Sequence, residues 1–194
     1  MPPPLLVIIT GLPCTGKTTL ARTIAAGLGL PLLAKDDIKE RLFDSLGWSD
    51  REWSKKLGRA TFDLLFYFIE VELRAGHSLI AEARFFSQYH LEVFQEMQQR
   101  QPFRPLVIEC VADGEILLRR FIGRSESGER HPGHVDHTSY AEAEAVFLHE
   151  EPLPFDLGGK YIAVNTNDFS RVDPQELITG IRRELERGEV EMDD

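Results

Sequence analysis

Residues 5–19 read Leu5-Leu6-Val7-Ile8-Ile9-Thr10-Gly11-Leu12-Pro13-Cys14-Thr15-Gly16-Lys17-Thr18-Thr19. The unbroken apolar run closing at Thr10-Gly11 is the pattern of a strand buried on both faces of a parallel sheet. Helical composition resumes at Thr18 and stops near Gly27 or Gly29. Between strand and helix, Gly11 to Thr18 matches G-x-x-x-x-G-K-[ST] at every fixed position. Glycines there let successive backbone N–H groups turn inward around phosphate oxygens, and the following helix offers its positive N-terminus. Lys17 then reaches the terminal phosphates as a point charge, and the Thr18 hydroxyl ligates Mg²⁺. The expected nucleotide-binding set is Gly11, Pro13, Cys14, Thr15, Gly16, Lys17, Thr18 and Thr19, with Thr18 as the metal ligand. Cys14 is either a small filler of the loop or a redox-responsive thiol.

Further strands are expected at Leu30–Ala34, His77–Ala81, Leu106–Val111 and Tyr161–Asn165, with Pro102 and Pro105 bracketing the loop before the fourth. Between them lie an amphipathic stretch from Asp36 to Leu46 and a long helix ending at Ala75. Ser49-Asp50-Arg51-Glu52 has the spacing of a capping box for that helix. Further helices are predicted over Ser87–Gln99, from an Asp113 cap through Phe121, over Tyr140–His149, and from Pro174 to Arg187. Residues 125–138 are polar and glycine-bearing and read as a mobile loop. Five apolar strands alternating with helices predict a five-stranded parallel α/β sheet, three layers deep, within one domain over residues 1–188. An acidic, frayed tail is expected at 189–194.

The 194 residues carry 22 Lys+Arg and 32 Asp+Glu, a net charge of −10, with 42% hydrophobic and 28% charged residues. That composition is globular rather than disordered, and no apolar run is long enough to span a membrane. Net acidity disfavours nonspecific binding to nucleic acid. Two cysteines are too few for a disulfide framework, and the N-terminus lacks signal-peptide features, so a cytoplasmic location is expected.

With Pro13 in the loop and Lys35-Asp36-Asp37-Ile38-Lys39 after the second strand, the chain resembles small P-loop kinases. The group includes chloramphenicol phosphotransferase, zeta toxins and the kinase domain of polynucleotide kinase. The resemblance spans Leu5 to about Thr166. It implies a three-layer P-loop fold with an arginine-bearing lid, here about residues 120–138. It also implies that Asp36 is the base, and that Lys39 stands where the family has an arginine. Glu82 stands where the family usually has an aspartate near the metal's water or the acceptor. Asp36 and Asp37 can alternatively cap the helix beginning near Ile38.

Glu82 and Arg84 emerge from an apolar strand and are candidates for substrate or metal contact. Arg120 and Arg124 share one helix face and precede Arg130. Arg120 and Arg124 fit a lid that closes over phosphates and excludes water, while Arg119 and Arg130 are each an even choice between lid and solvent. Catalysis is thus expected of Lys17, Asp36, Arg120 and Arg124, and substrate binding of Asp37, Lys39, Glu82, Arg84 and Arg130. His131, His134 and His137 lack the spacing and fourth ligand of a zinc site. Asn165-Thr166-Asn167 follows the fifth strand, near where related kinases place adenine. Phe62 and Phe66 belong to a core helix or line an acceptor pocket.

The expected activity is transfer of the ATP γ-phosphate, with Mg²⁺, to a hydroxyl of a small molecule. A polynucleotide or nucleotide kinase is the alternative within that class. A regulatory ATPase is the alternative outside it; GTPase switches are disfavoured because no Asn-Lys-x-Asp segment occurs.

Overall fold

The computed structural model describes residues 2–149 and 155–190, the last three of these by backbone alone. Its strands are β1 (Leu5–Gly11), β2 (Leu32–Ala34), β3 (Leu79–Glu82), β4 (Arg104–Val111) and β5 (Lys160–Asn165). All pairings are parallel, in the order β2-β3-β1-β4-β5. The helices are α1 (Lys17–Leu28), α2 (Lys35–Leu46), α3 (Arg51–Arg74), α4 (Ser87–Arg100), α5 (Gly114–Ser127), α6 (Tyr140–His149) and α7 (Pro174–Val190). This is the expected α/β sheet with helices on both faces. None of the described helices is long and apolar enough to cross a membrane. Residues 191–194, most of the expected tail, lie outside the described residues.

Central placement explains why β1 is apolar without interruption. Leu6 and Ile8 pack with Leu65, Ile69 and Leu73 of α3 and Phe94 of α4. Leu5, Val7 and Ile9 pack on the other face with Leu20 and Ile24 of α1 and Ile178 and Ile181 of α7. Successive strand residues face opposite layers, so both parities must be apolar. Burying each such side chain contributes about 1.5–3 kcal/mol. A third cluster, Leu117 and Phe121 of α5 with Ala143 and Phe147 of α6, rests against Leu12 and Cys14.

Three local expectations shift. The N-cap of α3 is Asp50, which accepts from the Trp53 amide at 2.8 Å, rather than Ser49. Pro105 lies inside β4, opposite Leu6. The Arg104 amide donates to Pro4, so the missing N–H of Pro105 faces the other side, where pairing with β5 begins only at Leu106–Lys160. Residues 125–138 are not a plain loop. α5 continues to Ser127, and 3₁₀ turns occupy Pro132–His134 and Asp136–Thr138.

Register also assembles the ligand-facing edge. Glu82 pairs with Ile9 on one side and Ala34 on the other. The start of α2 and the end of β3 therefore meet beside the loop after β1, at the carboxyl edge where open parallel sheets bind ligands.

Candidate active site

Between β1 and α1 the backbone takes left-handed conformations at Gly11 (φ 135°), Cys14 (φ 67°) and Gly16 (φ 82°). A Cβ on Gly11 would stand 2.2 Å from the Cys110 carbonyl oxygen, and one on Gly16 2.5 Å from the Phe169 ring. Gly16 precedes Lys17, so the unpaired first amides of α1 follow the loop directly. Thr15 is fully buried and closes the turn by donating to the Leu12 carbonyl at 2.9 Å. Burial pushes the Cys14 thiol up despite the opposing fields of Arg124 and Lys17. It is consequently a protonated thiol at neutral pH, which argues against a reactive thiolate.

This loop forms one wall of a cavity of about 520 Å³. Pro13, Cys14, Gly16, Lys17, Thr18 and Thr19 line that wall. Lys17 Nζ lies 3.4 Å from the Leu12 carbonyl and 3.8 Å from Glu82 Oε1. Glu82 is only 2% exposed. Burial pushes its carboxyl up, against the pull of Lys17 and a hydrogen bond with Thr18. A hydroxyl and a buried carboxyl next to a phosphate loop are a suitable oxygen set for Mg²⁺, which keeps most of its ligands as phosphates and waters.

The opposite wall comes from α2, α3 and the segment after α5. Asp36 sits between Lys35 Nζ, 3.0 Å from one carboxylate oxygen, and the guanidinium of Arg130, which holds the other. Burial alone would raise its pKa, but Lys35 and Arg130 hold it well below the usual carboxylate range. About a third of its side chain remains open. Arg130 also pairs with Asp136 at 2.8 Å, and Arg124 reaches the same carboxylate at 3.4 Å. Arg120 donates to the carbonyls of Thr166 (2.8 Å) and Asn167 (3.0 Å) and approaches that of Cys14 at 3.4 Å. It thereby ties α5 to both the phosphate loop and the end of β5.

Lys39, 5% exposed, donates to Ser54 Oγ at 2.8 Å and stands over the Phe43 ring. Burial, with the fields of Lys35 and Arg130, lowers its pKa from 10.5 to about 7, Asp36 opposing. Between those values the unfolded chain holds a proton that the folded chain releases, so this lysine costs stability below pH 10.5 and most at pH 7 and below. Lys39→Met is expected to stabilise the fold by about 1–4 kcal/mol at pH 7, as when buried charge gives way to packed apolar groups. That advantage should shrink as pH rises toward 10. Thermal unfolding across pH 6–10 measures it.

Other expected residues fall elsewhere. Asp37 points out of the cavity and pairs with Arg22 at 2.7 Å on the surface, both side chains at least half exposed. Arg119 faces solvent beside Glu115. Arg84 lines the cavity and stacks over Phe86. Phe62 lines it too, while Phe66 packs in the core. His131 stacks on Phe43, and His134, which burial keeps neutral, contacts Glu40 at 3.0 Å. These two imidazoles dock their segment onto α2. Among the described residues, no group of three His, Cys, Asp or Glu side chains could hold a metal ion.

Sequence reading missed Asp136, which binds two of the three arginines 120, 124 and 130. It also missed the Arg51–Glu142 pair (2.6 Å) at the cavity and the buried Ser54 behind Lys39. Asp136 had a signal, being the sole carboxylate between Arg130 and Thr138.

Solved structures share this fold. A candidate kinase from Chloroflexus aurantiacus J-10-fl is 41% identical, with a TM-score of 0.88 over 93% of this chain and 98% of its own. The APS kinase CysC of Mycobacterium tuberculosis, solved with AMPPNP and APS, shares the fold at 15% identity and a TM-score of 0.59, covering 96% of this chain and 99% of its own. Kti12 of Chaetomium thermophilum, solved with ADP-AlF3, does so at 18% identity and 0.63, covering 93% and 98%. No protein of curated function matches. A family model described as an AAA domain matches residues 6–149. That span runs from the central strand through the glycine-turned loop and Asp36 to the arginine segment and α6, so the chain belongs to the AAA domain family.

Proposed function

We propose that this protein is an ATP-dependent kinase that transfers the γ-phosphoryl group to a hydroxyl of a small molecule. Within the P-loop kinases we place it in the group of chloramphenicol phosphotransferase, zeta toxin and polynucleotide kinase. One observation carries the reading. A single cavity holds the glycine-turned loop with Lys17, an ionised Asp36 and the arginines 120, 124 and 130.

Phosphoryl transfer needs an in-line hydroxyl and compensation of the charge that spreads over the moving oxygens. The loop amides and Lys17 hold the terminal phosphates. Arg120 is braced before substrate arrives, so its charge costs no reorganisation during transfer. Among the described residues the buried Nε–H of Arg124 has no partner, which makes it a donor suited to a phosphate oxygen. The Thr18 hydroxyl and the buried Glu82 carboxyl would hold Mg²⁺, which would supply further positive charge to the phosphates.

Asp36 accepts the acceptor's hydroxyl hydrogen and aims its oxygen. Its low pKa makes it an orienting group first and a proton acceptor late, which a loose transition state tolerates. Lys39, Arg84, Arg130 and Glu82 face the acceptor side, whereas Asp37 is left out. The cavity volume suits a small molecule. Cytoplasmic reducing conditions suit its two free cysteines.

Residues 120–138 act as the lid, excluding water from bound ATP. Hydrogen exchange should show added amide protection there when AMP-PNP and acceptor bind. Equal exchange in both states would contradict closure.

An ATP-consumption screen tests the function. It covers sugars, nucleosides, amino sugars, antibiotics and 5′-hydroxyl oligonucleotides, with product masses read directly. Acceptor-dependent ADP release with a phosphorylated small molecule is expected. Phosphorylated oligonucleotide as the preferred product would move the assignment to polynucleotide kinase.

A further inference from the structure

The acceptor side of the cavity carries a cation that the transfer chemistry leaves unused. Lys39 projects from α2 against α3, where Ser54 Oγ takes one of its three N–H donors. A hydroxyl is a neutral partner. Among the described residues, Lys39 forms no ion pair.

The groups facing it are mostly cationic: Lys35 on its own helix, Arg51 on α3 and Arg130 in the lid, with neutral His134 close by. The carboxylate that opposes them, Asp36, is already divided between Lys35 and Arg130. Glu142 on α6 is likewise taken up by Arg51 and Lys55. Lys35 lies one helical turn before Lys39, and both line the cavity beside the ring of Phe62. Positive charge thus exceeds negative charge at a buried spot adjoining the group that orients the hydroxyl. A buried ammonium without a counter-ion is costly. A ligand anion would relieve that cost.

We infer that the acceptor carries, besides its hydroxyl, an anionic group, a carboxylate or a phosphate ester, which binds at Lys39 with Lys35 beside it. The inference deepens the kinase reading and rests on it for the word acceptor. The anion site itself stands on the cavity's charge arrangement and can be tested separately. An anion within reach of Lys39 favours its charged form and raises its pKa, tenfold in proton affinity for each unit.

The test uses the full chain labelled with ¹³C at the lysine ε-carbons, saturated with AMP-PNP and Mg²⁺ so that the phosphate loop is filled. Six lysines give a small spectrum, and the Lys39 resonance is assigned by its loss in Lys39→Gln, or in Lys39→Arg should Lys39→Gln fail to fold. Titration midpoints are compared in sodium chloride, sodium phosphate and sodium acetate at equal ionic strength. We expect the midpoint to rise from about 7 by roughly one unit with an oxyanion and to stay put in chloride. A response to phosphate alone assigns a phosphorylated acceptor, and a response to acetate alone a hydroxy acid. A response to both supports the site with either acid in it. An unchanged midpoint in phosphate and acetate overturns the inference. AMP-PNP binding is read in the same samples at Lys17, so failure of nucleotide binding is seen separately from failure of the anion site.

Discussion

Asp36→Asn is expected to leave ATP binding close to wild type while lowering transfer to the acceptor by about 10²–10⁴, the usual worth of a positioned base. The loss should fall on kcat rather than on KM for ATP, because the carboxylate acts on the acceptor in the transition state. Asparagine keeps size and one accepting oxygen but removes the charge that holds Lys35 and Arg130. Because those cations keep Asp36 ionised far below neutrality, wild-type activity should show no acid limb from this residue between pH 5 and 8. Asp37→Asn is the matched control. Its pair with Arg22 is exposed, so its removal should change stability by about 0–1 kcal/mol and activity little. Steady-state kinetics on both variants decides. A large kcat loss in Asp37→Asn with none in Asp36→Asn would reverse the assignment.

Lys17→Met should cost more. With Lys17 on the terminal phosphates as proposed, a fall in kcat/KM of at least about 10³ is expected, comparable to loss of a principal donor at a developing anion. The fold should survive, because among the described residues the polar contacts of the Lys17 side chain are the Leu12 carbonyl and Glu82. Glu82, already pushed up by burial, loses the cation that opposes that shift and takes a proton more readily. Circular dichroism should therefore match wild type while ATP turnover is lost. Full turnover in this variant would remove the phosphate role of the loop.

Much of the fold was legible because it is local. The apolar run of β1, the spacing from Gly11 to Thr18 and the punctuation by Gly29 and Pro174 each state their structure within a few residues. Pro105 misled for a tertiary reason, since only the late start of β5 leaves its missing N–H harmless. The cap of α3 shifted by one because Asp50 competes with Ser49 for the same amides.

At the site, sequence brought Lys17, Asp36 and the arginines 120, 124 and 130 toward one cavity because strand ends in a parallel sheet converge. It could not place Asp136, whose value depends on Arg124 and Arg130 folding back over it. Nor could it separate Asp36 from Asp37, adjacent residues that the turn of α2 sends to the cavity and to the surface. The charge excess at Lys39 was equally hidden, since it arises where α2, α3 and the segment carrying Arg130 meet.

In the proposed activity ATP gives its phosphoryl group to an acceptor rather than to water. The most direct measurement is turnover in H₂¹⁸O with the acceptor found by screening, followed by mass spectrometry of both phosphate-bearing products. Phosphorylated acceptor free of ¹⁸O, formed in step with ADP, is expected, with little labelled inorganic phosphate. ADP accompanied only by ¹⁸O-labelled inorganic phosphate, at a rate indifferent to any acceptor, would contradict it and make the protein an ATPase.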